Sequence, residues 1–332
     1  MTQSFNSLTE ELRSVAQDLL REGKVNMFIG FGPGTLTART TPLFISKPDA
    51  AAELTWSPFC ANNLAGYLLD YRETNETIGV LVKGCDSRSI IRLLQDNQFP
   101  RSRLVVIGIP CAGLLDSEKV TLELGPQTEI GDVTDEDDNF LVITTTGQHR
   151  FAKKDYLLPK CLECIDSNPV ICDHFTGKKI NKVNELEINE GEVNERFAEI
   201  KSLEALSPQE RSGYWDGYFQ NCLRCYACRN VCPACNCREC IFDQAGPDWV
   251  SKRNNLSENT AFQIIRALHV AGRCVDCGEC DRVCPVNIPL RHLNQKVLKD
   301  IDELFDAPMP GTDLEQQPVL GHYCADDPDE FK

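Results

Sequence analysis

Residues 222–233 read CLRCYACRNVCP, and residues 274–285 read CVDCGECDRVCP. Each is Cys-x2-Cys-x2-Cys-x3-Cys-Pro. Three thiols spaced by two residues wrap a loop around one cubane and reach three of its irons. The fourth lies past a turn, and the proline after it prevents a helical path from continuing. Two copies predict two 4Fe-4S clusters with crossed ligation, the fourth thiol of each run completing the other run's cluster. The expected quartets are Cys222, Cys225, Cys228 with Cys284, and Cys274, Cys277, Cys280 with Cys232. Zinc knuckles are the competing pattern for paired Cys-x2-Cys, but two full quartets, each followed by proline, go well beyond it. The 41 residues between Cys232 and Cys274 must leave the cluster region and rejoin it.

Inside that intervening stretch, Cys235, Cys237 and Cys240 are surplus to the two quartets. Their spacing leaves three readings open: three ligands of a further cluster, a zinc site, or buried thiols beside the clusters. Before the first run, Ser207-Pro208-Gln209-Glu210 is a capping box with proline at the first helical position, starting a helix that delivers the chain to Cys222. A second helix is expected over Thr260–Val270, closed by Gly272. After Ile301 the chain carries nine acidic residues against one lysine, and an extended tail is expected.

Upstream, the cysteines are sparse and the pattern is α/β. Leu8, Leu12, Val15, Leu19 and Leu20 recur at helical spacing, with Gly23 as the stop. Val25–Phe31, Thr77–Val82 and Leu104–Ile109 are strand-length apolar runs that suit a sheet buried on both faces. Asp86 is placed as the N-cap of a helix carrying Ile90, Ile91, Leu93 and Leu94, so strand, helix and strand form the unit of a parallel sheet. Phe140–Thr146 reads as another strand, after an acidic loop at Asp132–Asp138. Gly30-Phe31-Gly32-Pro33-Gly34 is a glycine-rich strand end without the spacing of a dinucleotide loop, and a tight turn is the better reading.

Two cysteines stand at predicted strand ends: Cys85, in Lys83-Gly84-Cys85, and Cys111, in Gly108-Ile109-Pro110-Cys111. Ligands of open α/β sheets gather there, and a helix N-terminus would favour the Cys85 thiolate. With Cys161-x2-Cys164 they make four ligands for a third cluster; isolated core cysteines plus a chance pair is the alternative. Lys83 and Arg88 read either as charges near a bound anion or as a solvated helix start. The five histidines show no ligand spacing, and no serine–histidine–acid set stands out.

The order GCDSRSIIRLL (84–94), IGIPCAG (107–113), CLECIDSN (161–168) and HFTG (174–177) resembles the beta-subunit family of coenzyme F420 hydrogenases and dehydrogenases, over roughly residues 20–177. The later runs resemble the dicluster ferredoxin modules appended to such proteins. The resemblance implies that Cys85, Cys111, Cys161 and Cys164 carry a cluster beside a flavin. It also implies an iron–sulfur flavoprotein subunit coupled to a hydrogenase, a formate dehydrogenase or a heterodisulfide-reductase-like partner in anaerobic metabolism. FAD enters through the resemblance alone.

Composition agrees with a globular redox protein. The chain has 332 residues, 42% apolar and 25% charged, enough for two domains. Eighteen cysteines without a visible secretory signal point to metal ligation and a cytoplasmic location. The longest uncharged run, Leu54–Leu69, is broken by polar residues, which argues against a transmembrane span. A net charge of −16 argues against nucleic-acid binding.

The expected organisation is an α/β domain with a small parallel or mixed sheet over 1–177, a charged linker over 178–211, an α+β ferredoxin-like domain over 212–300 and an acidic tail over 301–332. The expected function is electron relay through three 4Fe-4S clusters between a partner oxidoreductase and a second carrier, within a multi-subunit complex. An FAD-dependent oxidoreductase of F420 or another hydride carrier is one alternative, and a cluster-carrying assembly factor or redox sensor is another. Whether the chain is itself an enzyme stays open at this point, as do the roles of Cys60, Cys172 and Cys324.

Overall fold

The computed structural model describes residues 4–36, 38–180, 197–246, 249–307, 309–316 and 319. The chain forms two compact units: Met1–Ile90 with Asn97–Asn194, and Ile91–Asp96 with Glu195–Lys332.

The first unit opens with α1 (Phe5–Arg21), capped by the Ser4 hydroxyl, which accepts from Asn6 N–H. Its buried stripe, Leu8, Leu12, Ala16, Leu19 and Leu20, ends where Gly23 takes φ +66°. Next come β1 (Met27–Pro33), β2 (Thr40–Ile45), β3 (Ile78–Val82), α2 (Gly84–Gln95), β4 (Leu104–Gly108) and α3 (Ser117–Leu124). Then follow β5 (Ile130–Glu136), β6 (Asn139–Thr144), β7 (Gly147–Ala152), the single turns α4 (Lys153–Tyr156) and α5 (Pro159–Leu162), and β8 (His174–Phe175).

The main sheet has the order β2-β1-β3-β4-β8; β2 is antiparallel to β1 and the other pairings are parallel. It is the mixed sheet expected from the apolar runs, and every residue of β3 is buried. The parallel pairing of β3 with β4 carries Val82 and Gly108 to the same edge of the sheet. The segments bearing Cys85 and Cys111 leave from that edge.

Three local expectations are corrected. The acidic stretch 132–138 is not a loop: Asp132–Glu136 belongs to β5, which pairs with β6 in a separate antiparallel sheet β5-β6-β7. Val133 is buried there, Ser4 Oγ donates to Asp132 at 2.7 Å and Lys153 pairs with Asp135 at 2.6 Å, so the carboxylates are answered within the sheet's surroundings. Asp86 is not the cap of α2, because the helix begins at Gly84 and leaves Asp86 in its buried first turn. The glycine-rich stretch is the C-terminal end of β1 as far as Pro33, so the turn starts only at Gly34; a Cβ on Gly30 would meet the Leu54 side chain at 2.6 Å.

In the second unit the regular elements among the described residues are helices, so the expected α+β character appears as helices and cysteine-bearing loops. They are α6 (Ala198–Glu204), α7 (Pro208–Phe219), α8 (Ala227–Asn230), α9 (Leu256–His269), α10 (Glu279–Arg282) and α11 (Leu290–Phe305). The predicted capping box at Ser207 and Glu210 is complete. α9 packs on α7 and α11. The core joins Phe219, Phe242, Phe262, Ile288 and Leu290 to the cysteines Cys222, Cys228 and Cys280. α11 continues to Phe305, past the expected boundary at 300, because Ile301 extends the buried stripe of Leu290, Asn294 and Leu298. Residues 181–196 of the expected linker and half of the tail (308, 317–318 and 320–332, with Cys324) lie outside the described residues. Among the described residues no helix is long and apolar enough to cross a membrane.

Candidate metal centre

In the second unit, α7 ends at Phe219, and Cys222 N–H donates to the Phe219 carbonyl at 3.1 Å. The buried Asn259 amide donates to the carbonyls of Phe219 (3.0 Å) and Cys222 (3.2 Å), pinning the start of the first run against α9. The two runs share one backbone habit. Arg224 and Tyr226 flank Cys225 with φ of +52° and +60°, and Asp276 and Gly278 flank Cys277 with +56° and +67°. Left-handed residues on either side of the second cysteine turn successive thiols toward a common centre. At Tyr226 this conformation carries a steric penalty. Its ring lies edge-on to Phe262 and beneath the Arg229 guanidinium, contacts that hold it there.

The crossed quartets of the sequence reading are brought together. Cys222, Cys225, Cys228 and Cys284 line one open pocket, walled by Phe262, Ile288 and Leu290. Cys228 is electrostatically coupled to the other three. On the other side, Cys274 is coupled to Cys232, and Cys280 to Cys274 and Cys277. Amide donors reach the sulfurs: Gln263 Nε2 to Cys222 Sγ at 3.5 Å, Asn294 Nδ2 to Cys280 Sγ at 3.5 Å, Ile288 N to Cys284 Sγ at 3.3 Å and Asp276 N to Cys274 Sγ at 3.4 Å. Burial pushes the free thiols of Cys228 and Cys280 up, and that of Cys274 up to about 12. Cys232 is raised first by its hydrogen bond to Cys235 and then by burial, and the same bond lowers Cys235. Cys235 thus stands beside the second quartet, Cys237 is exposed, and Cys240 lies near the Arg229 guanidinium. Among the described residues no three His, Cys, Asp or Glu side chains converge on a single metal ion. In a cubane each thiolate binds its own iron.

Four further cysteines gather in the first unit. Cys85 is coupled to Cys164, Cys161 to Cys164, and Cys111 to both Cys161 and Cys85. Gly84 makes this gathering sterically feasible: a Cβ there would lie 2.0 Å from the Asp166 carbonyl oxygen, so the Cys161–Asp166 loop can seat on the helix start only over a glycine. Cys111 N–H donates to the Ser167 carbonyl (2.8 Å), and Arg88 pairs with Asp166 at 3.2 Å.

Lys83 is no solvated helix start. It is buried over the Phe31 ring, donating to Asp86 (2.8 Å) and to the Asn62 carbonyl (2.6 Å). Burial opposes its charge, but Asp86 and Cys85 outweigh burial and hold its pKa above the ordinary lysine value. Lys160 is also buried and coupled to Cys85, Cys161 and Cys164. Without metal, burial raises the Cys85 thiol and overrides the expected help of the helix terminus. Cys60 is an ordinary buried thiol, pushed up to about 11 by burial, and Cys172 is exposed. Sequence reading missed Lys160, Asn259, Gln263, Arg266 and Asn294. The available signal was the stripe Asn259, Gln263, Arg266 at helical spacing on the face that also buries Phe262.

Two cysteine runs on helix-supported loops, with amide donors at four of their sulfurs, are the features of an iron–sulfur protein of the dicluster class. Residues 218–288 match the 4Fe-4S dicluster domain family. The chain is similar to the F420-dependent formate dehydrogenase subunit beta of Methanocaldococcus jannaschii, 26% identical over 84% of this chain and 85% of that relative. It is also similar to the F420-dependent formate dehydrogenase 1 subunit beta of Methanococcus maripaludis, 25% identical over 92% of this chain and 91% of the relative. A chain of the F420-reducing NiFe hydrogenase complex of Methanosarcina barkeri aligns with TM-score 0.40 and 16% identity, covering 50% of this chain and 65% of that one. The two beta-subunit matches and the dicluster domain match bear out the resemblance read from the motifs, and the chain is an iron–sulfur electron-transfer protein similar to those beta subunits.

Proposed function

We propose that the chain is the electron-relay subunit of a formate dehydrogenase- or hydrogenase-like complex, with clusters on the two crossed quartets and a third on Cys85, Cys111, Cys161 and Cys164. The observation that carries this reading is the pocket shared by Cys222, Cys225, Cys228 and the distant Cys284. When bound, 4Fe-4S clusters supply one-electron oxidation and reduction. The chain's part is to hold the thiols, direct amide N–H groups at the sulfurs and wall the site with apolar side chains, which together set the potential. Orphaned donors beside the quartets, Arg266 Nη1 and Nη2, fit an additional anionic acceptor at this place. The working division keeps residues 195–211, with α6, in the second unit, and ends its helical part at Phe305. A second reading is FAD-dependent oxidation or reduction of F420; the names of the two relatives support its F420 part, and FAD enters through the motif resemblance alone.

Anaerobic purification followed by iron and sulfide assay tests the relay. About twelve of each per chain are expected for three cubanes. A content near eight removes the first-unit cluster, a content near sixteen adds one at Cys235, Cys237 and Cys240, and an iron-free protein overturns the reading. Flavin absorbance that bleaches with reduced F420 alone would favour the second reading.

A further inference from the structure

Arg266 lies on the face of α9 that is turned inward, and it is 1% exposed. Its Nε donates to Gln263 Oε1 at 3.4 Å, while Nη1 and Nη2 have no hydrogen-bond partner among the protein atoms. It forms no ion pair with a carboxylate among the described residues. A buried guanidinium with two free nitrogens is unfavourable unless an anion meets it. The charges that act on it most strongly are sulfurs: Cys280 and Cys232 from one quartet, Cys228 from the other, and the adjacent Cys235. Cys274 is coupled to it as well. The neighbouring Gln263 already donates to Cys222, so consecutive inward positions of one helix address both quartets.

We infer that Arg266 is a counter-charge shared by the two clusters of this domain, its Nη1 and Nη2 donating to sulfur on both sides. The inference rests on the reading of the quartets as cluster ligands. Four thiolates make each site anionic, and each added electron makes it more so. A fixed cation between the sites favours the reduced form of both, an attraction that offsets part of the repulsion between the added electrons. Arginine suits the role because its fork can donate in two directions and it stays charged when buried. Arg266 is thus a positioning and tuning residue: it raises both potentials together and lets the domain hold two electrons at once.

The test is a redox titration of the full-length protein followed by EPR, comparing wild type with Arg266→Gln and Arg266→Lys, each assayed for iron and sulfide. Arg266→Gln should keep its iron and lower both midpoints. Each should move by at least tenfold in the oxidised-to-reduced ratio at fixed ambient potential, about 59 mV for one electron. Arg266→Lys should fall between, and the first-unit cluster should not move. A shift confined to one cluster, or none in a variant that keeps its iron, overturns the shared role. Should Arg266→Gln shed iron, Arg266→Lys decides by the same criterion, and iron loss from both variants would make Arg266 a folding residue and end the proposal. A wild-type protein without two cluster signals from this domain fails at the earlier reading instead.

Discussion

Lys83 and Asp86 have side-chain exposures of 1% and 0%, so their 2.8 Å bond stands in place of two hydration shells. Removing one partner leaves the other charge stranded. Asp86→Asn should therefore cost about 3–5 kcal/mol, read as a shift of the first unit's denaturant midpoint. Gly84→Ala tests the loop seat, since its Cβ would sit 2.0 Å from the Asp166 oxygen. Iron should fall from about twelve to about eight per chain, one cubane's worth, with the dicluster EPR signals retained; full iron content would disprove that the seat matters. Cys284→Ala should perturb the same EPR signal as Cys222→Ala, and Cys232→Ala the other, with Cys235→Ser added to exclude substitution by its neighbour. If Cys284→Ala groups with Cys274→Ala instead, each run closes its own cluster. At this scale the cysteines were legible because ligand chemistry is written in identity and spacing. Arg266, Asn294 and Lys160 were not, because a polar residue in a helix is ordinarily read as facing water.

Elements were legible where a single periodicity ruled. The stripe of α1, the buried run of β3 and the capping box of α7 all follow from residue pattern, since each reflects one local preference. The strand β5 was hidden because Asp132, Asp135 and Glu136 dominate it, and their partners Ser4, Lys153 and Arg150 come from other elements. The helix α9 was placed four residues late. Its N-cap is Asn255, whose side chain accepts from Glu258 N–H at 3.1 Å, in a polar stretch with no apolar spacing to mark it. Asn255→Ala should lower the stability of the second unit by about 1 kcal/mol while leaving iron content unchanged. Urea unfolding monitored by cluster absorbance makes the measurement, and loss of iron in folded protein would mean that the helix start also shapes the quartets.

The two units of the molecule draw stability from different sources. The first has a sheet with a strand buried along its whole length, whereas the core of the second is partly built from Cys222, Cys228 and Cys280. Stripping iron with a chelator should expose the second unit to hydrogen exchange well before β3 and β4 of the first, and equal protection of both units would contradict this. The sequence by itself determined where the two Cys-x2-Cys-x2-Cys-x3-Cys-Pro runs fall and the α/β character of the first unit. Those properties depend on spacing along the chain and on local hydrophobic period. Only the tertiary structure decided that Lys83, Lys160 and Arg266 are buried beside the sulfurs, and that Gly84 is the seat of a loop some eighty positions away in the sequence. The physical reason is that burial and counter-charge belong to what packs against a residue, and no spacing within its own helix carries that information.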